Sequence, residues 1–193
     1  MKLQTNVTAL LSVVLFSLPS AAGGRLPFYT ELEVASGFRG MGGVPFARSD
    51  EVGTDHAVVG LPVVEARAHF GLSLIGLVAD WSHGLTSGFE RFDLGLELQF
   101  RVPLRWTLLV FRAGGGGTYY EMPLEVLPET ASKATYELGL QAYTSVEARL
   151  EIYDGFYLGA LLRLGLQSGS LGLGFDGSAC ATLSFAVDRT AVR

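Results

Sequence analysis

From Arg91 to Val102 the chain changes character at every residue. Phe92, Leu94, Leu96, Leu98, Phe100 and Val102 share one parity, and Arg91, Asp93, Gly95, Glu97, Gln99 and Arg101 share the other. Successive side chains of an extended strand point to opposite faces, so this run makes a sheet with one apolar and one polar face; a helix would scatter both classes around its axis. The pattern recurs. Between Phe28 and Phe38, Leu32, Val34 and Phe38 oppose Glu31, Glu33 and Arg39. Between Tyr136 and Leu150, Leu138, Leu140, Ala142, Val146 and Ala148 oppose Glu137, Gln141, Ser145, Glu147 and Arg149. Between Phe156 and Gln167, Leu158, Ala160, Leu162, Leu164 and Leu166 oppose Tyr157, Arg163 and Gln167.

Counting all such runs gives eight strands, at about 28–39, 57–70, 72–81, 90–102, 106–118, 135–150, 156–167 and 178–188. The connections after strands two, four and six are short: around Gly71, Val102 to Arg105, and Glu151 to Gly155, where Asp154-Gly155 is a hairpin turn signal. Those after strands one, three, five and seven are longer: Gly40 to His56, Ser82 to Phe89, Tyr119 to Ala134 and Ser168 to Gly177. Tight turns at one end and long loops at the other, with an even strand number, describe an all-β, eight-stranded, antiparallel up-and-down transmembrane β-barrel.

The N-terminus reads as an export signal. Lys2 supplies a short positive region, Val7 to Leu18 an apolar stretch too short to span a bilayer, and Ser20-Ala21-Ala22 a small-x-small cleavage site. Cleavage after Ala22 leaves residues 23–193 as a single barrel domain. Cys180 is the one cysteine, so an exported domain of this kind has no internal disulfide. Mean hydropathy is +0.35, yet after the leader no apolar run approaches the roughly 18 residues of a spanning helix. A net charge of −5 with no basic stripe gives no footprint for nucleic acid.

Alternation alone leaves the facing open, because a soluble ligand-binding barrel of the lipocalin kind alternates with its apolar face inward. Three features favour an apolar exterior. Lys133 is the only lysine after the leader, whereas soluble exteriors carry many. The apolar rows are long and Leu-rich, more than a narrow lumen holds beside a ligand. Aromatics gather at strand ends: Phe28, Tyr29, Phe70, Phe100, Trp106, Tyr153, Phe156, Tyr157 and Phe185 near the short turns, and Phe38, Trp81, Phe89, Phe92, Tyr119, Tyr120 and Tyr136 near the long loops. Two aromatic girdles around an aliphatic belt suit the two interfaces of a bilayer.

With this pattern the chain resembles the small eight-stranded outer-membrane proteins of Gram-negative bacteria, of the outer membrane protein A transmembrane domain and outer membrane protein X type. The resemblance implies an integral outer-membrane location with both termini periplasmic. It also implies outer-membrane lipid and lipopolysaccharide as surroundings, and dependence on the barrel-insertion machinery. Such chains commonly end in an aromatic residue. Here Phe185 and Val187 are followed by a polar tail, so either Phe185 takes that role or the last strand lies elsewhere.

Apolar rows facing lipid put a lumen ion-pair network inside the barrel: Glu31, Glu33, Glu65, Asp93, Glu97, Glu137 and Glu147 against Arg67, Arg91, Arg101, Arg112, Arg149 and Arg163, with His69 among them. Eight strands leave room for side chains and not for a diffusive channel. Leu61, Val63, Leu108 and Val110 fall on the inward parity and would add apolar packing or, alternatively, line an acyl-chain pocket, unless a β-bulge shifts the parity of the fifth strand. Ser82 and His83 are adjacent, so they face opposite ways in a strand and make a poor nucleophile–base pair. His56, His69 and His83 lack zinc-ligand spacing. Gly114 to Gly117 has no Lys-Ser/Thr after it and reads as a bend, not a phosphate cradle.

The expectation is therefore a non-enzymatic integral outer-membrane protein without cofactor or metal. Its role would be structural, adhesive or within an envelope complex with other envelope proteins, using the 40–56 and 119–134 loops. Acidic loop residues Asp50, Glu51, Asp55, Glu121, Glu125 and Glu129 either bridge divalent ions to lipopolysaccharide or are simply solvated. A lipid A-modifying enzyme, a lipocalin-like binder and a minimal pore are the alternatives.

Overall fold

The computed structural model describes residues 28–43, 59–72, 74–86, 88–122, 135–169 and 172–188. They form eight strands: β1 (Phe28–Gly43), β2 (Val59–Leu72), β3 (Ile75–Gly84), β4 (Glu90–Pro103), β5 (Leu108–Met122), β6 (Thr135–Tyr153), β7 (Phe156–Gly169) and β8 (Gly172–Asp188). Each pairs antiparallel with the next, and β8 returns to β1 from Tyr29↔Asp188 to Gly43↔Gly174, closing the barrel. Closure leaves no strand edge to be satisfied by water, the condition for a sheet to sit in hydrocarbon.

The register fixes the width. Following paired residues once round, from Glu31 through His69, Val78, Gly95, Gly116, Gln141, Gln167 and Gly174, returns to β1 at Gly43, a stagger of 12 residues. With about 3.3 Å per residue and about 4.8 Å between strands, eight strands with this stagger tilt about 45° around a backbone cylinder about 18 Å across. That lumen accommodates long side chains reaching inward from opposite walls.

Facing follows the parity rule. Leu138 is 77% and Leu164 71% exposed, while Glu31, Glu65, Glu147 and Arg39 are at 0%. The exposed surface is a belt of Leu, Val, Ile and Phe on all eight strands. An apolar outside around a charged inside is the inverse of a soluble barrel and excludes the lipocalin-like arrangement.

Several boundaries shift from the sequence reading. The connection between β2 and β3 falls between Leu72 and Ile75, beyond Gly71, and β3 runs on to Gly84. The last strand begins at Gly172, not at 178, so most of Ser168 to Gly177 is strand and the connection after β7 is only residues 170–171. Gly172, Gly174 and Gly177 hid this segment, because glycine contributes no side chain to an alternating pattern; outward Leu173 and Phe175 nonetheless precede inward Asp176. The β4–β5 and β5–β6 ladders run without a register shift, so β5 has no bulge. Its glycines allow close backbone approach: Gly95 and Gly116 face each other, and a Cβ at Gly116 would run into the backbone of Leu94 and Gly95.

Not every end-of-strand aromatic belongs to a girdle. Phe38, Phe100, Trp106, Tyr119, Tyr153, Phe156 and Phe185 point outward, but Tyr29, Phe89 and Tyr120 are buried in the lumen. Their parity decides: Tyr29 shares that of Glu31, Phe89 that of Arg91, and Tyr120 that of Arg112.

Replacing Leu94 or Leu140, both exposed on the belt, by Arg should cost about 2–4 kcal/mol near the bilayer midplane. Urea titration of barrels refolded into lipid vesicles measures this. Leu140→Ala should cost clearly less, and equal tolerance of Leu140→Arg and Leu140→Ala would contradict the facing.

Candidate functional site: the ion-paired lumen

Charged side chains on the inward parity must find partners within the barrel, because a buried charge without one costs several kcal/mol. Their distribution along the strands creates two ionic layers. Toward the short turns lie Glu31 and Glu33 of β1, Glu97 of β4, Arg112 of β5, and Glu147 and Arg149 of β6, all buried. Arg112 donates to Glu31 at 2.7 Å and to Glu147 at 2.8 Å. Arg149 bonds Glu31, donates to Glu147 at 2.6 Å and reaches Glu33 at 3.1 Å. β1 and β5 stand on opposite walls of an eight-stranded ring, so the Arg112–Glu31 bond crosses the full bore. Thr182 donates to Glu147 at 2.7 Å and Tyr143 to Glu97 at 2.6 Å, using acceptor positions the guanidiniums leave. Arg101, a quarter exposed at the edge of this layer, reaches Glu31 at 3.3 Å and lies over the Tyr29 ring at 5.1 Å.

The second layer lies toward the loops. Arg91 donates to Asp93 at 2.8 Å, Asp176 at 2.5 Å and Gln141 at 2.6 Å. Arg163 bonds Asp80, donates to Gln141 at 2.9 Å and stacks on Tyr143 at 4.0 Å from the ring centre. Arg39 donates to Ser82 at 2.8 Å and faces Glu65 at 3.4 Å. Arg67 ties the layers together: it bonds Glu65 and donates to Asp80 at 3.1 Å and to Glu33 at 2.9 Å.

Above the ions sits an apolar cap of Met41, Leu61, Val63, Phe89 and Tyr120, with Ala35 and Cys180 beneath. Phe89, which follows Gly88 at φ 66°, is buried in this cap. Leu61 and Val63 join this cap, and Val110 is buried in the lumen as its parity requires.

Of the residues anticipated from the sequence, Glu31, Glu33, Glu65, Arg67, Asp93, Glu97, Arg112, Glu147, Arg149 and Arg163 lie in the two layers, with Arg91 and His69. Arg101 sits at the margin. Glu137 is on β6, but its side chain lies outside the described residues, as do the loops 44–58 and 123–134 and His56. Arg39, Asp80 and Asp176 are additional members. Arg39 already shared the parity of Glu31 and Glu33, whereas Asp80 and Asp176 lay at or beyond strand ends drawn too short. Among the described residues, eight buried carboxylates meet six buried guanidiniums.

Ser82 is buried against Arg39, while His83 points outward and stacks on Trp81 with ring centres 5.8 Å apart. The two do not form a nucleophile–base pair. Among the described residues one group of metal-ligating side chains converges, Glu31, Glu33 and His69. Sequence spacing hid it, because His69 is brought opposite Glu31 only by the β1–β2 register.

No protein-family model matches the chain, and no curated protein matches its sequence. Solved structures do match. Neisserial surface protein A aligns with a TM-score of 0.56 at 10% identity, over 82% of this chain and 96% of that one. The N-terminal β-barrel domain of Pseudomonas aeruginosa OprF aligns at 0.49 and 14% identity, over 82% and 97%. Ail, the attachment invasion locus protein of Yersinia pestis, crystallised with the heparin analogue sucrose octasulfate, aligns at 0.45 and 8%, over 82% and 99%. The chain thus has the fold of the small eight-stranded outer-membrane barrels.

Arg149→Met removes one cation from three carboxylates and should destabilise the refolded barrel by about 3–5 kcal/mol. Arg105→Met, at an exposed short turn, should leave the urea transition in detergent unmoved. An Arg149→Met midpoint equal to wild type would contradict the network.

Proposed function

We propose that this protein is an exported, non-enzymatic integral protein of the bacterial outer membrane, whose barrel is a rigid scaffold for what it presents outside the membrane. Residues 1–22 serve as a cleaved signal peptide. The observation carrying this reading is the bridged lumen: guanidiniums from one wall meet carboxylates of the opposite wall, and an apolar cap lies above them. Side chains already paired across the bore are not arranged for transit or for turnover. Left for a role are the lipid belt and the segments 44–58 and 123–134, which lie outside the described residues.

On this reading the immediate partners are outer-membrane lipid and lipopolysaccharide, and the barrel-insertion machinery delivers the chain. The role is envelope integrity or surface recognition, alone or with other envelope proteins. Ser82, the hydroxyl next to His83, is buried and accepts from Arg39 while His83 points to the other face, which disfavours the lipid A-modifying alternative at that position.

Membrane fractionation, combined with electrophoresis of boiled and unboiled samples, tests location and fold. The expected result is an outer-membrane protein lacking residues 1–22 that migrates differently when unboiled. Planar-bilayer recording tests the scaffold reading: wild type should show no steady conductance. A soluble, heat-insensitive protein would overturn the location, and a stable open channel would overturn the closed scaffold.

A further inference from the structure

Glu31, Glu33 and His69 bring two carboxylate oxygens and one imidazole nitrogen to within 4.8 Å of one another, all from buried side chains. The local sequence makes this possible. Glu31 and Glu33 are two residues apart on β1 and so share the lumen face, and His69 is the register partner of Glu31 on β2. Ligands on one zinc-sized ion sit roughly 3–4 Å apart given bonds of about 2 Å, so modest side-chain shifts close the set.

Three further observations point to a cation. The first is orientation. His69 Nδ1 lies 3.2 Å from Glu97, and Glu97 is itself fixed by the Tyr143 hydroxyl at 2.6 Å. A carboxylate that holds one ring nitrogen and leaves the other for a ligand is the arrangement that sets a metal-binding histidine. The second is the remaining nitrogen: Nε2 is buried and has no hydrogen-bond partner. The third is charge. Among the described residues eight buried carboxylates outnumber the seven guanidiniums that pair with them, the marginal Arg101 included, and a bound cation lessens that excess.

We propose that Glu31, Glu33 and His69 form a lumen site for one divalent ion of the zinc class, with Glu97 as the positioning residue behind His69. The donor set of two carboxylates and an imidazole suits Zn2+ or Co2+ better than Ca2+ or Mg2+, which favour oxygen alone. Arg112 and Arg149 share both carboxylates with the ion, Arg101 also shares Glu31 and Arg67 also shares Glu33. Each carboxylate offers about four acceptor positions, so sharing lowers the affinity without excluding the ion. The enclosed position means the ion is taken up as the barrel closes. The inference rests on the lumen geometry and is independent of the surface role proposed above.

The test refolds the full chain from urea into detergent with Co2+, removes loose metal with a chelator, and measures metal content and visible absorption. Unboiled electrophoresis confirms that each variant is folded. Wild type should retain about one Co2+ per chain with bands of mixed nitrogen and oxygen ligation. His69→Ala should lose it, and Glu97→Gln should weaken binding about 10–100-fold. His83→Ala, on the outer face, should retain it. Should His69→Ala fail to fold, wild type and Glu97→Gln decide. A folded wild type that retains no metal overturns the proposal: the pocket then binds no more than a proton. Retention by His69→Ala equal to wild type overturns it as well.

Discussion

Hydrocarbon cannot solvate a charge, and every feature of this barrel follows from that constraint. Together the polar parities of the strands carry too many ionised groups to face lipid, so the sheet must close with that face inward. Once inside, the charges must neutralise one another at short range. Arg112 and Arg149 do so by reaching across to β1, and Arg67 by joining both layers. Removing either partner strands the other in a low-dielectric interior, which is why the network acts as a unit more than as a sum of pairs.

The stagger of the strands serves the same end. A shift of 12 residues opens the bore enough for long guanidinium side chains to extend from one wall to the other. Small inward residues share the work. Gly114 leaves space that the Tyr143 ring fills, and Tyr143 in turn holds Glu97 and stacks under Arg163. Toward the loops the ions give way to Met41, Leu61, Val63, Phe89 and Tyr120, so the paired charges are shielded from the outer mouth. With Cys180 unpaired in a disulfide sense, closure and lumen pairing stand where small exported domains often rely on cross-links.

The fold was legible because period two is a strong signal and Leu-rich rows make it unambiguous, as from Arg91 to Val102. It faded where side chains stop reporting. Gly172, Gly174 and Gly177 concealed the start of β8, and with it Asp176. Parity already held the answer for Arg39, Tyr29 and Tyr120, but proximity to strand ends suggested girdle positions for the two tyrosines. The pairing itself was beyond the sequence. Which Arg meets which carboxylate depends on bringing β1 opposite β5, and the Glu31–His69 juxtaposition depends on a register that no spacing encodes.

The central claim is that the apolar rows face lipid, and the chain's two tryptophans test it most directly. Trp81 lies on the outward parity of β3 near the loops, and Trp106 is 73% exposed at a short turn. Tryptophan fluorescence of the barrel refolded into vesicles should be measured with bromine placed at successive depths along the lipid chains. The inverted barrel predicts strong quenching by shallow bromines, with each tryptophan, isolated by a Trp→Phe change at the other, near its own interface. Fluorescence unaffected by bromine at any depth would contradict the account.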